Sequence, residues 1–207
     1  MKEMRKVDRN MFLANLNKGD IGLIHSHNFF ATLQNLYRKK FNEGPDEASH
    51  GFYIIDPPKI AESNGMVMTG PGHGDPTILK FIGDKTECWV FRYAKIMAEQ
   101  IDDMNMAATQ AVAVGGHYGV SNIFQMGWRY LKKTFTGKVV KMKDGPGMFC
   151  TEFTSSLIKL AKIPYLIEPD YEITPSAQLN WFKTFGGDFS WFLASYYDGI
   201  GGYFIRS

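Results

Sequence analysis

Residues 49–65, SHGFYIIDPPKIAESNG, read as a strand, a corner and a second strand. Alternation puts His50, Phe52 and Ile54 on one face of the first run, which is expected over His50 to Ile55, and Ile60 opens a second run expected to reach Met68. If Pro57-Pro58 formed a two-residue hairpin turn, Glu62 would pair with Tyr53 and face away from His50. Such turns want positive φ at their centre, which proline cannot adopt. A three-residue loop over 55–57 is therefore expected, pairing position 54 with 58 and setting His50 opposite Glu62.

Outward from this pair, Ile21 to His25 reads as a short buried strand after a polar N-terminal segment, and Phe29, Leu33, Leu36, Tyr37 and Phe41 recur at helical spacing. Downstream, a Gly- and Pro-rich loop at 70–76 leads to a third strand at Cys88 to Tyr93, which would complete an antiparallel meander. Apolar stripes at Met97, Ile101, Met104, Ala108 and Ala111, and at Phe124, Trp128, Leu131 and Phe135, predict two helices. A strand fits 138–142. Phe153, Leu157, Leu160 and Ala161 predict a helix after Cys150 that Pro164 ends. Thr174-Pro175 reads as a cap followed by proline at the first helical position, opening a helix through Phe185, and the aromatic, glycine-rich tail from Asp188 suits one or two closing strands. Helices and antiparallel strands in separate runs indicate α+β.

A chain of 207 residues, 44% hydrophobic and 14% aromatic, suits one globular domain over 1–207, and no run nears the length of about 20 apolar residues that crosses a bilayer. The net charge of +2 announces no nucleic-acid partner, and the lysines and Arg129 between 129 and 143 read as a solvated face. No signal-peptide pattern precedes Gly19-Asp20, so a cytoplasmic location, or release without a signal, is expected. Two cysteines are too few for a disulfide framework, so each is read as a free thiol.

Those thiols differ in setting. Cys88 sits among Trp89, Val90 and Phe91 in a strand pattern and suits a buried apolar role. Cys150, in GMFCTEFTSSLIKLAKIP, falls where a glycine-containing loop gives way to a helix. Unpaired backbone N–H groups and the positive end of the helix dipole favour thiolate there, and the same N–H groups can receive an oxyanion. A nucleophilic cysteine also wants a histidine and a polar group to orient it. Five histidines are candidates: His25, His27, His50, His73 and His117.

The ordered set GDIGLI, SHGFYIID with IAESNG, VFRYA, GGHYG, MFCTEFTSSLIKLAKIP and TPSAQL resembles the permuted NlpC-type papain-like hydrolases, the YiiX-like and lecithin:retinol acyltransferase-like group. The likeness spans roughly residues 19 to 179. It implies a circularly permuted papain-like fold, an antiparallel sheet packed against the helix that carries the cysteine. It also implies Cys150 as nucleophile, His50 as base and Glu62 as the group that orients the imidazole, with Ser63 or Asn64 as the fallback. CTE stands where the family commonly shows CSE, and Phe149 where a tyrosine is frequent.

The activity so implied is a cysteine hydrolase that cleaves an amide, in a peptide or cell-wall peptide, or an ester of an acyl lipid, without a cofactor or metal. Tyr118 could donate to the substrate's oxyanion or merely pack, and Arg92 could brace the fold or meet an anionic group. Two other readings use different residues. One is a metal hydrolase built on His25 and His27, and the other a non-catalytic papain-like module binding peptide or polysaccharide through Trp181, Trp191 and Tyr196.

Overall fold

The computed structural model describes residues 4–25, 48–64, 67–83, 86–114, 150–165, 174–199 and 202–205. The helices expected around 29–41 and 124–135, the strand at 138–142, and Tyr118 lie outside them.

One eight-stranded sheet runs through the molecule, with strands β1 (Met4–Val7), β2 (Ile21–His25), β3 (His50–Asp56), β4 (Lys59–Asn64), β5 (Val67–Thr69), β6 (Glu87–Tyr93), β7 (Trp191–Tyr197) and β8 (Gly202–Ile205). Its order is β1-β8-β7-β6-β2-β3-β4-β5, and every neighbouring pair is antiparallel. Four helices accompany it among the described residues: α1 (Arg9–Ala14), α2 (Ala98–Ala113), α3 (Cys150–Leu160) and α4 (Pro175–Thr184). The architecture is α+β.

Two expectations need correction, and the N-terminal segment adds elements of its own. The run from Ile60 to Met68 is two strands, because the chain reverses between Asn64 and Val67, which pair with each other. Asn64 and Gly65 are turn-favouring residue types that an apolar count along the run passes over. Strand β6 does not extend the β3-β4-β5 meander but pairs with β2 on its other side, Leu23 opposite Trp89. The physical reason is that β2 is apolar on both faces, with Ile21 and Leu23 in one core and Ile24 in the other, so it is a central strand that needs two neighbours. The N-terminal segment is structured as well: Asp8 caps α1 by accepting from the Met11 amide at 2.8 Å, and β1 pairs with β8 at the sheet's edge.

Each face of the sheet carries its own core. Helices α2, α3 and α4 cover one face through Met104, Ala108, Phe153, Leu157, Leu179 and Phe182, packed on Leu23, Tyr53, Ala61 and Phe91. Phe12 and Leu16, in and just after α1, join Ile78 on the other face, over Ile24, Phe52, Ile54 and Ile60. Gly22 is required there, since a Cβ would lie 2.1 Å from the Phe52 ring. At the start of β2, buried Asp20 accepts two hydrogen bonds from Arg92 at 2.8 Å, and Arg92 also donates to the Asn15 carbonyl at 2.6 Å. Arg92 thus braces the fold.

Helix α4 starts as its sequence indicates, with Thr174 Oγ1 accepting from the Ala177 amide at 3.1 Å and proline in the first turn. Gln178 of α4 is fully buried and ties it to α3, donating to Thr154 Oγ1 at 3.1 Å and to the Tyr165 hydroxyl at 2.9 Å. This polar seam sets the position of the helix that begins with Cys150.

Candidate active site

His50 is the first residue of β3, and its alternation places it with Phe52 on the face opposite α3. The two nevertheless meet, because His50 stands at the strand's end and α3 begins at that same end. Gly51 permits the approach: a Cβ there would lie 3.7 Å from Thr151 Cγ2, in the first turn of α3, and 3.3 Å from Leu23. A larger side chain would wedge the helix off the strand. Cys150, 4% exposed, lies near enough for its sulfur to act on the imidazole electrostatically.

Glu62 arrives from β4 by a register that differs from expectation. It stands opposite Phe52, not His50. The two prolines do take the corner between paired Asp56 and Lys59, joined by a cis peptide bond, a turn class distinct from those that need positive φ. By itself that corner would pair Glu62 with Tyr53 and turn it to the wrong face. A bulge at Ile55 absorbs one residue, so Ile54 pairs with Ile60 and the parity of the strand is restored. Glu62 therefore shares a face with His50 as its diagonal neighbour. Its Oε2 accepts from His50 Nε2 at 2.7 Å.

The remaining carboxylate oxygen, Oε1, accepts from Thr69 Oγ1 of β5 at 3.2 Å and from the Lys80 ammonium, which comes from the short 3-10 helix Ile78–Phe81. The Glu62 side chain has no exposed surface, whereas His50 keeps 16% and Lys80 35%. Phe81 stacks on Phe52 with ring centres 5.4 Å apart and tilts against His50 at 5.6 Å, walling the imidazole on that side.

The electrostatics follow from this packing. Burial works against a charged His50, but the Cys150 sulfur and the Glu62 carboxylate overcome it and push its pKa up to about 9. Burial likewise works against a charged Glu62, and its bonds to His50 and Lys80 prevail, holding it below the usual carboxylate range. At neutral pH the imidazole is therefore held in its charged form. With Nε2 engaged by Glu62, Nδ1 is the nitrogen left for the sulfur.

The other named residues fall elsewhere. Cys88 is fully buried among apolar side chains, and burial pushes its thiol up. His25 stands opposite Glu87, His73 lies on an exposed loop, and His27 and His117 are outside the described residues. Among the described residues no three potential metal ligands gather. Ser63 is buried on the strand face opposite Glu62. Trp181 and Trp191 are core residues, packed around Phe182 at 5.3 and 4.9 Å between ring centres, so they offer no binding surface. Tyr196 stacks on Trp89 and donates to Glu87 at 2.9 Å. Thr69 and Lys80 are site residues that sequence reasoning missed. An Asn64-Gly65 two-residue turn would have set Val67 opposite Glu62, so the observed pairing of Glu62 with Thr69 was not legible from that dipeptide, and nothing local to DPTILKFIGD marks Lys80.

Comparison with known proteins gives no match, either to a family model or to a curated sequence. The case for a function rests on the geometry. A thiol in the first turn of a helix, an imidazole near it, and a buried carboxylate hydrogen-bonded to the imidazole form a Cys-His-Glu constellation.

Proposed function

We propose that the protein is a cysteine hydrolase of the permuted papain-like type, with Cys150 as nucleophile, His50 as base and Glu62 as the residue that orients the imidazole. The observation that carries this reading is the buried Glu62 carboxylate 2.7 Å from His50 Nε2, with the Cys150 sulfur near enough to act on the same ring. Cys88, by contrast, is packed among apolar side chains of β6 and its neighbours.

In the proposed cycle the Cys150 thiolate attacks a carbonyl carbon, forming a C–S bond while the carbonyl π electrons move to oxygen. Backbone N–H groups in the first turn of α3 face the developing oxyanion. The tetrahedral centre collapses, the bond to the amine or alcohol breaks, and the His50 imidazolium gives its proton to the leaving group. Neutral His50 then takes a proton from water as the hydroxide attacks the thioester, and the acid leaves with the thiolate restored. Peptides, including cell-wall peptides, and acyl lipids are the substrate classes this chemistry suits. No helix among the described residues is long and apolar enough to cross a membrane.

The test is iodoacetamide alkylation of Cys150 near neutral pH, read by peptide mass spectrometry, with Cys88 as internal reference. His50→Ala should slow it by about tenfold or more, since an unpaired thiol is only a few per cent ionised at that pH. Cys150→Ala should abolish turnover of a peptide or ester substrate. Equal alkylation rates with and without His50 would overturn the assignment.

A further inference from the structure

We infer that Lys80 is a positioning residue for the Cys150–His50 pair, acting through Glu62 by balancing the charge of the buried carboxylate. This deepens the hydrolase reading and rests on it. A thiolate and an imidazolium together carry no net charge, so Glu62 adds one negative charge to a site where it meets no solvent. A buried charge needs a partner. The two carboxylate oxygens divide the work: Oε2 takes the His50 ring, while Oε1 takes the Lys80 ammonium and the Thr69 hydroxyl. With Lys80 the cluster sums to zero.

The side chain is well placed for this. Ile78, fully buried in the core, anchors the 3-10 helix, and the Lys80 ammonium also lies 4.7 Å from the centre of the Phe81 ring that walls His50. At 35% exposure the ammonium reaches inward from the surface, which spares it most of the cost of desolvation. The groups facing Glu62 are His50 from β3, Thr69 from β5 and Lys80, with Cys150 beyond the ring. A cation beside such a cluster makes its protons easier to remove, and deleting it makes them harder to remove. Without the ammonium, the excess negative charge of the cluster works against a negative Cys150 sulfur.

The experiment compares Lys80→Gln, which keeps an amide donor for Oε1 but loses the charge, with Lys80→Arg, which keeps the charge. Two quantities are read on the full chain: the Cys150 alkylation rate at a pH of about 6.5 and the titration of the His50 ring by NMR. Lys80→Gln should slow alkylation by about fivefold to tenfold and move the His50 titration to higher pH, while Lys80→Arg stays within about twofold of the unaltered protein. Lys80→Met is a second neutral side chain read against the same outcomes should Lys80→Gln fail to fold. If alkylation depends on His50 but neither neutral variant changes it or the His50 titration, the role of Lys80 falls and the hydrolase reading stands. If alkylation in the unaltered protein is independent of His50, the hydrolase reading falls and the role of Lys80 falls with it.

Discussion

At the scale of the residue, the charge on His50 is tied to stability. Its folded pKa of about 9 lies above the ordinary 6.5, so the folded protein binds the proton more tightly than the unfolded chain does. The stability this contributes is fully present below about pH 6.5 and is lost as pH rises through about 9. Glu62 works in the opposite direction. Its pKa is depressed, so its contribution is present above the ordinary carboxylate value and lost as pH falls through the folded value. The melting temperature should decline from pH 6.5 toward 9, and His50→Ala should flatten that limb of the profile. An equally steep decline in the variant would show that His50 is not the group responsible.

At the scale of the element, the site depends on two local devices in one hairpin. The Ile55 bulge puts Glu62 on the His50 face, and Gly51 lets the first turn of α3 come against β3. The second device can be graded by side-chain size. An alanine at Gly51 would meet Leu23 Cδ2 at 3.3 Å, the end of a flexible side chain that can give way. A valine would drive its methyl groups toward Thr151 and Gln178 as well. Gly51→Val should cost about 1–3 kcal/mol by overpacking and free the Cys150 alkylation rate from its dependence on His50, whereas Gly51→Ala should keep that dependence. Denaturant unfolding and the alkylation assay on both variants check this, and a His50-dependent rate in Gly51→Val would refute the wedge.

At the scale of the whole molecule, the two cores are joined through β2, and the Asp20–Arg92 pair holds the start of that strand against β6 and the chain after α1. Burial raises the Asp20 carboxyl above its ordinary range even though Arg92 and the Asn17 amide pull it down. Arg92→Met would leave that carboxylate without its counter-ion. A loss of about 3–5 kcal/mol is expected at neutral pH. The sign with pH follows from linkage: with Arg92 gone the Asp20 pKa rises further, so the deficit shrinks as pH falls toward 4 and Asp20 takes up a proton. Thermal unfolding at both pH values would detect this, and a deficit independent of pH would mean that lost packing, not stranded charge, is responsible.

Much of the frame was legible because it is written in local patterns. The ends of β2, the helical stripe ending at Ala111, the Thr174 cap and the helix after Cys150 all follow from periodicity and capping chemistry, which depend on neighbours a few residues away. That Cys150 opens a helix, and that Cys88 is packed away in a strand, could be read in the same manner. Which groups meet is set by the folded chain. A one-residue bulge reverses the face of every side chain after it, and no local signal at Ile55 announces it, so the register of Glu62 had to come from the sheet. Placing β6 beside β2, burying Trp181 and Trp191, and bringing Lys80 and Thr69 to one carboxylate are choices made by packing two cores and neutralising a buried charge, and those are properties of the assembled sheet, not of any segment.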